Sequence, residues 1–92
     1  SKVFDLIEKL KEFKCNIEVF DPWINKEEVN QKYDLELIDE PSKQKYDSII
    51  LAVAHNEFKN MSIKQIKVYA KPNHIIYDIM HIFDASLVDG RL

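Results

Sequence analysis

The stretch Tyr46–Asn56 contains six consecutive apolar residues between polar ends, and three of the six are β-branched. A run of this length is too short to cross a membrane and is typical of a strand buried on both faces of a parallel sheet. The pattern therefore predicts a central strand over Ser48–Ala54. His55 and Asn56 follow it at the carboxyl edge of the predicted sheet, where ligands bind in open α/β folds.

The rest of the chain alternates between helical and strand periods of apolar residues. The predicted helices cover residues 1–14, 25–33 and 62–71, and Pro72 is expected to end the third. The other predicted strands cover residues 16–21, 35–38 and 74–79, and residues 83–92 are predicted to form a tail. This order predicts an α/β fold, with helices covering a mainly parallel sheet of about four strands.

The third predicted helix begins with a capping sequence. Ser62 can accept a hydrogen bond from the first turn, Gln65 can return one, and Met61 can pack on Ile66. The same arrangement begins the second helix at Asn25, with Glu28 and Val29 as the later partners, and Ser1 is a candidate cap for the first helix.

The opening of the chain is unusual, because parallel α/β units normally begin with a strand and this one begins with a helix. Three explanations remain open at this point. The chain can be a fragment that lacks the first strand, or Ile17–Asp21 can pair directly with Ile49–Ala54. The third is an exposed strand edge that drives self-association.

Composition excludes several classes of function. A length of 92 residues with 46% apolar and 32% charged residues is typical of one folded domain, predicted here over residues 1–92. A net charge of −3 and lysines scattered along the sequence argue against nucleic acid as a partner. The sequence offers no membrane-spanning run and no signal peptide, so we expect a cytoplasmic protein without a membrane partner.

Glycine, cysteine and histidine restrict the chemistry further. Gly90 is the single glycine, whereas dinucleotide and P-loop sites need several, so no cofactor is expected on this chain. The single cysteine, Cys15, has no glycine-rich approach and no base beside it, which favours a structural role. The three histidines lack metal-ligand spacing, so no metal site is expected.

Polar residues at strand ends are the candidate ligand contacts. His55 can bond a ribose or a phosphate, and it can equally cap the turn that follows, so both readings stay open. Asp21 ends a strand as a ribose-binding carboxylate does, but without a glycine fingerprint a turn before Pro22 or an interdomain contact is favoured. Core packing is favoured over base stacking for Trp23 and Phe58.

Five segments have the order and spacing of one known domain. They are Ser1–Asp5, Val19–Trp23, Tyr46–His55, Ile76–Ile79 and Leu87–Leu92. Together they resemble the carboxyl-terminal UDP-binding domain of the UDP-glucose/GDP-mannose dehydrogenase family, in its UDP-N-acetylhexosamine 6-dehydrogenase branch. The resemblance covers essentially the whole chain and implies a Rossmann-like three-layer sandwich whose first strand is absent.

The resemblance implies a part of an enzyme that oxidises the C6 alcohol of a UDP-sugar to a carboxylate, with NAD and a catalytic cysteine. It implies bacterial capsule or O-antigen polysaccharide synthesis as the process. The NAD-binding domain, the central helical domain, the cysteine and a Phe-Lys element of the UDP site are implied to lie outside this chain. We therefore expect no catalysis by this chain alone, a UDP-sugar as its ligand, and a homodimer as a further candidate state.

The predicted substrate contacts are His55, Asp21, Asp78 and Arg91. Arg91 lies in the closing segment of the family, where it can reach the substrate of a neighbouring subunit or serve a structural role, and the structural role is favoured. One position departs from the pattern. After Asp78 the family usually has a Lys or Arg that faces the nucleotide sugar, and this chain has Met80, with His81 next to it.

Two functions of different classes remain. The first is a UDP-sugar-binding domain of a nucleotide-sugar dehydrogenase. The second is a non-catalytic α/β interdomain or dimerisation module that binds no ligand by itself. A free-standing flavodoxin-like or receiver-like domain is a weaker third candidate. A receiver needs an acidic pocket, a phosphorylatable Asp at a strand end and a well-placed lysine, and Asp21 alone does not supply that set.

Overall fold

A computed structural model of the chain describes residues 2–27 and 34–91. Backbone contacts divide the chain into two compact units, Ser1–Pro41 and Ser42–Leu92. Each unit has its own secondary structure, and the single domain expected over residues 1–92 stays a prediction.

Helix α1 (Lys2–Glu12) opens the first unit, as its apolar period predicts. Ile7 is its buried side chain, and charged residues occupy much of the remaining surface. Lys9 and Lys11 in the last turn suit the negative end of the helix dipole. The cap predicted at Ser1 lies outside the described residues.

Helix α1 ends in a Schellman motif that contains no glycine. The amide of Cys15 donates to the carbonyl of Leu10 at 3.2 Å, and the amide of Lys14 donates to the carbonyl of Lys11 at 2.9 Å. Lys14 has a φ of 66°, in the left-handed region that glycine normally occupies at this position. The left-handed conformation that ends α1 is therefore adopted by a lysine, whose Cβ atom makes this conformation less favourable than it would be for glycine.

The substitution Lys14→Gly is expected to raise the free energy of unfolding by about 0.5–1 kcal/mol, because glycine adopts the left-handed region without a Cβ clash. Urea denaturation followed by circular dichroism measures the change. The control is Glu8→Gly at an exposed position inside α1, where glycine should lower the same free energy by about 0.5–1 kcal/mol. Equal losses in the two variants would contradict the argument.

The strands predicted at 16–21 and 35–38 are reduced to one parallel bridge between Val19 and Leu37. The amide of Val19 donates to Glu36 O at 2.9 Å, and the amide of Ile38 donates to Val19 O at 2.9 Å. Val19 thus forms its bridge with Leu37, inside the first unit. The pairing of Ile17–Asp21 with Ile49–Ala54, one explanation of the missing first strand, stays a prediction.

The cap predicted for the second helix is confirmed at its first residue. Oδ1 of Asn25 accepts a hydrogen bond from the amide of Glu27 at 3.0 Å. The partners predicted at Glu28 and Val29, and the end of that helix near Tyr33, lie outside the described residues.

The second unit contains the sheet. Its elements in chain order are strand β1 (Tyr46–Leu51), helix α2 (Asn56–Lys59), helix α3 (Ile63–Lys67), strand β2 (Ala70–Asp78), a 3₁₀ helix (Ala85–Leu87) and strand β3 (Gly90–Arg91). The three strands are parallel, in the order β1-β2-β3. The predicted α/β class with a parallel sheet is therefore confirmed, with three strands in the described chain. The tail predicted at 83–92 contains the 3₁₀ helix and β3, which the sequence pattern does not reveal.

The apolar run predicted as the central strand forms β1 at the edge of this sheet, and β2 is the middle strand. β1 ends at Leu51, before the predicted end at Ala54. Ile49 and Ile50 are half-buried, so the prediction of a central strand buried on both faces is wrong. An apolar run indicates that a strand packs against something, but it does not indicate how many strands flank it.

The third predicted helix, residues 62–71, is shorter than expected, because β2 begins at Ala70. Pro72 therefore lies inside a strand and is not the helix breaker that the sequence predicts. The register of β1 on β2 shifts between Tyr46 and Ser48. The irregularity accommodates Pro72, which has no N–H to give to the ladder.

The predicted capping box at the start of α3 is confirmed. The amide of Gln65 donates to Oγ of Ser62 at 3.2 Å, and the amide of Ser62 donates to Oε1 of Gln65 at 2.7 Å. Met61 packs against the same apolar cluster as Ile66, as the predicted staple requires.

A small apolar core holds α3 against one face of the sheet. Leu51, Ile66 and Ile76 are its buried members, and Ile76 has no exposed surface. The half-buried side chains packed against them are Ile49, Met61, Ile63, Ile82, Phe83 and Val88. On the opposite face of β2, Ile75 is 56% exposed.

Candidate functional site

The carboxyl ends of β1 and β2 lie at one edge of the sheet, because the two strands are parallel. The chain leaves β1 toward His55 and α2, and it leaves β2 through the turn Ile79–Phe83. The amide of Ile79 donates to the carbonyl of Leu51 at 3.1 Å, so a backbone bond joins the two segments where the strands end. This edge is where the fold class predicts a ligand.

Asp78 ends β2 and holds the turn that follows. It is fully buried, and its carboxylate accepts hydrogen bonds from the amides of Ile82 at 3.1 Å and Phe83 at 2.8 Å. Both carboxylate oxygens thus satisfy backbone donors, as a buried charge requires. The structure places Asp78 beneath the turn as a positioning residue, and its predicted contact with a substrate stays a prediction.

The turn held by Asp78 presents Met80 and His81. Met80, which stands where the family usually has a basic residue, is 45% exposed. His81 is exposed and has a φ of 55°, in the left-handed region. A non-glycine residue in that region costs on the order of 1–3 kcal/mol and persists only where its surroundings impose it.

Hydrogen bonds join β3 and the residue before it to this turn and to β2. Nη1 of Arg91 donates to the carbonyl of Phe83 at 3.0 Å. The amide of Ile76 donates to Oδ2 of Asp89 at 2.7 Å, and the amide of Asp89 returns a bond to the carbonyl of Ile76 at 2.9 Å. The bond from Arg91 gives this residue the structural role that the sequence favours. The predicted contact of Arg91 with a substrate stays a prediction.

Gly90 allows β3 to lie close to β2. A Cβ atom at this position would stand 2.7 Å from Cε2 and 2.8 Å from Cδ2 of Tyr77, closer than real Cβ contacts. The single glycine of the chain is therefore used for packing strand on strand, and not for the approach of backbone to a phosphate.

Asp84 lies beside Arg91 at this edge and is exposed. The hydroxyl of Ser86 donates to Oδ2 of Asp84 at 2.6 Å, and this bond, followed by the bond from the Ser86 amide, lowers the pKa of the Asp84 carboxyl. The charge of Arg91 lowers that pKa further. The carboxylate is thus held in its ionised form next to the arginine.

His55 occupies the N-cap position of α2, with φ −65° and ψ 150°. Its carbonyl accepts bonds from Phe58 and Lys59, while its ring, in the described part of the chain, makes no capping bond to α2. The ring stacks on Phe58 with centroids 5.9 Å apart. The capping alternative for the side chain is therefore not observed, and the ligand contact of His55 stays a prediction.

Asp21 lies in the first unit and forms a turn there, as the sequence favours. Its Oδ1 accepts a bond from the amide of Trp23 at 2.9 Å, and its carbonyl accepts one from Ile24 at 3.3 Å. The side chain of Trp23 is 60% exposed, so the predicted core packing of this residue is wrong. A contact of Asp21 with a substrate stays a prediction.

Within the described ranges, 2–27 and 34–91, no three His, Cys, Asp or Glu side chains come together in a way that could hold a metal ion. Cys15 is exposed, and no helix in these ranges is long and apolar enough to cross a membrane.

Comparison with known proteins agrees with the resemblance. The sequence profile of the UDP-glucose/GDP-mannose dehydrogenase family, UDP binding domain, matches residues 1–85. Two proteins named UDP-N-acetyl-D-glucosamine 6-dehydrogenase, from Pseudomonas aeruginosa and Salmonella typhi, are 40% and 34% identical to this chain over all 92 residues. Protein CapL from Staphylococcus aureus is 31% identical over 86 residues, or 94% of the chain.

The chain spans 22% of the length of the first two relatives and 20% of the third. No solved structure matches the chain.

Proposed function

Since this chain belongs to the UDP-glucose/GDP-mannose dehydrogenase family and matches its UDP-binding domain, we propose that it binds the UDP-sugar of a nucleotide-sugar 6-dehydrogenase. The complete enzyme would oxidise the C6 alcohol to a carboxylate, with NAD, in bacterial capsule or O-antigen polysaccharide synthesis. The observation that carries the proposal is 40% identity over the whole chain to a protein named UDP-N-acetyl-D-glucosamine 6-dehydrogenase. That name supports UDP-N-acetyl-D-glucosamine as the first substrate to test.

The residues of this chain do not fit NAD. A dinucleotide site needs a glycine-rich turn that brings backbone amides to the pyrophosphate. The chain has a single glycine, Gly90, and it is packed against the ring of Tyr77. In the proposal, NAD and the catalytic cysteine therefore belong to the remaining four fifths of an enzyme of the relatives' length.

The geometry of the carboxyl edge supports a binding role. Because Asp78 and Arg91 bond the backbone of the turn Ile79–Phe83, Met80 and His81 are held in place before a ligand arrives. A preformed turn loses little conformational entropy on binding. In the proposal, His55 bonds the ribose or a phosphate from the neighbouring segment.

This chain has Met80 where the family usually has a basic residue, and this changes the electrostatic interaction expected with the ligand. A lysine or arginine at this position would pair with the pyrophosphate of the nucleotide, whereas a thioether carries no charge. We assign the polar contact at this turn to His81, which follows Met80 and is exposed. Binding by this chain alone is therefore expected to be weak, with a Kd on the order of 1 mM.

The proposal is tested by titrating the chain with UDP and with UDP-N-acetyl-D-glucosamine, followed by amide NMR. Saturable shifts are expected at the carboxyl edge, at His55, Met80 and His81. His55→Ala should weaken binding by roughly 3–10-fold, the contribution of one hydrogen bond. The control Lys64→Gln, on α3, should leave the Kd unchanged.

Shifts spread evenly over the chain, or none at the carboxyl edge up to about 10 mM ligand, would contradict this proposal.

The alternative function, an interdomain or dimerisation module, is supported by two large apolar side chains in the first unit, Phe13 at 73% and Trp23 at 60% exposure. Sedimentation velocity at several concentrations tests it, because a module of this kind should associate as concentration rises. A strict monomer would count against the predicted homodimer.

A further inference from the structure

An open cleft of about 500 Å³ lies at the amino ends of β1 and β2, at the end of the sheet opposite to the carboxyl edge. Four basic side chains line it: Lys43, Lys67, Lys71 and His74. We call it the lysine cleft. Its residues belong to the second unit alone, and none of them takes part in the proposed UDP-sugar site.

The fold brings these lysines together from distant positions of the sequence. Gln44 donates its amide to the carbonyl of Val68 at 3.0 Å, and Lys45 donates its amide to the carbonyl of Tyr69 at 3.0 Å. These bonds attach the segment before β1 to the end of α3, which places Lys43 and Lys67 at the same cleft. The lysines that appear scattered in the sequence therefore form a local positive cluster on a chain of net charge −3.

Asp47, on the neighbouring strand, pairs with one of these lysines. Nζ of Lys71 bonds Oδ1 of Asp47 at 3.1 Å, and the side chains of Lys71 and Asp47 are 47% and 83% exposed. Lys43 and Lys67 line the same cleft, and no ion pair joins either of them to another described residue. A positive potential thus remains at the rim of the cleft after this ion pair is counted.

Two other lining residues of the cleft, His74 and Gln44, have defined conformations. Nδ1 of His74 lies 2.7 Å from the carbonyl of Lys71, which makes this nitrogen the donor and leaves Nε2 as the nitrogen that can meet a ligand. Gln44 has a φ of 53°, in the left-handed region, where a non-glycine residue stores backbone strain. Such strain is concentrated at binding sites.

The lysine cleft also has apolar lining residues. They are Val68, which is 44% exposed, Ala70 and Pro72. The cleft thus combines apolar and charged lining residues, and its volume of about 500 Å³ is large enough for a small molecule.

We propose that the lysine cleft binds a phosphate-bearing small molecule of about nucleotide size. Its phosphates would pair with the ammonium groups of Lys43, Lys67 and Lys71, and its apolar part would lie on Val68 and Pro72. A long polyanion is disfavoured by the net negative charge of the chain.

The test uses the whole chain and two probes, inorganic pyrophosphate and ADP, followed by amide NMR. Saturable shifts are expected at Gln44, Val68 and Lys71. The double variant Lys43→Gln, Lys67→Gln should weaken binding of both probes by about tenfold, because each exposed ammonium contributes a modest part of the affinity. The control Lys59→Gln, on α2 and outside the cleft, should not change it.

Both variants alter exposed side chains, so their amide spectra should show an intact fold. Absence of shifts at the lysine cleft up to about 10 mM pyrophosphate and ADP would overturn the proposal. Shifts confined to His55 and His81 would also overturn it while leaving the UDP-sugar proposal standing. Binding of an aspartate-rich peptide in place of both probes would overturn it as well, in favour of a protein partner.

Discussion

Asp78→Ala is expected to lower the free energy of unfolding by about 3–5 kcal/mol. The carboxylate has no exposed surface and accepts the amides of Ile82 and Phe83 at 3.1 and 2.8 Å. Each hydrogen bond to a charged acceptor contributes about 1.5–3 kcal/mol, and both amides would be left without that acceptor. A loss of this size is a large part of the roughly 5–15 kcal/mol that stabilises a typical domain. Urea denaturation followed by circular dichroism measures it.

Two further variants keep this prediction testable if Asp78→Ala does not fold. Asp78→Asn retains one acceptor oxygen and should lose about half as much free energy, with faster hydrogen exchange at Ile82 and Phe83. Asp47→Ala removes a carboxylate that bonds Lys71 at the surface, with 83% of its side chain exposed, and should cost about 1 kcal/mol or less. Equal costs for Asp78→Ala and Asp47→Ala would contradict the role of Asp78 in holding the turn.

Asp78 shows where sequence reasoning succeeds and where it does not. Its place at the end of a strand, at the carboxyl edge of the sheet, is predicted correctly, but the sequence position alone does not tell whether the carboxylate faces a ligand or the core. The alternation of residues along the strand nevertheless indicates which way the Asp78 side chain points. In a strand, alternate residues share a face, so Asp78 must lie on the same face as the buried Ile76. A carboxylate on the core face is expected to bond backbone donors.

Local signals were predictive because the interactions they describe are local. The capping box of Ser62 and Gln65 and the cap at Asn25 join residues two or three positions apart, and both are present. The turn at Asp21 is of the same kind. Such contacts depend on few other parts of the fold, so a short pattern is enough to predict them.

Long-range arrangement was not predictable in the same way. The apolar run of β1 is equally compatible with a middle strand and with an edge strand that is covered on one face, and the structure has the second. The two-residue strand β3 is too short for any period to appear. The lysine cleft depends on backbone bonds between segments about twenty residues apart, so the sequence shows its lysines only as scattered charges.

The two ends of the sheet therefore differ in chemistry. At the carboxyl edge, the position expected to carry a basic residue holds Met80, and His55 and His81 are the polar side chains on the segments that follow β1 and β2. At the amino end, three lysines and three apolar residues line one cleft. Because opposite ends of a parallel sheet are connected through its core, the integrity of that core sets the geometry of both.

Ile76→Ala is expected to lower the free energy of unfolding by about 2–5 kcal/mol, because it removes a side chain from the middle of that core and leaves a cavity. Ile76 has no exposed surface and packs in one cluster with Leu51 and Ile66. Its backbone bonds to Asp89 remain available in the variant, so the loss measures side-chain packing alone. Thermal and urea denaturation of the variant give the value.

The matched control is Ile75→Ala, the same substitution one residue earlier in β2. Ile75 is 56% exposed on the opposite face, so its loss should cost about 1 kcal/mol or less. Ile76→Val, which removes one methyl group, should cost about 0.5–1.5 kcal/mol and tests whether the effect grows with the volume removed. If Ile75→Ala cost as much as Ile76→Ala, the face of β2 that carries Ile75 would have to be buried in solution. Neighbouring residues of one strand point to opposite faces of the sheet, so Ile75 and Ile76 differ mainly in which side chains cover them. Equal costs would therefore contradict an arrangement in which the core of the second unit lies on the Ile76 face alone.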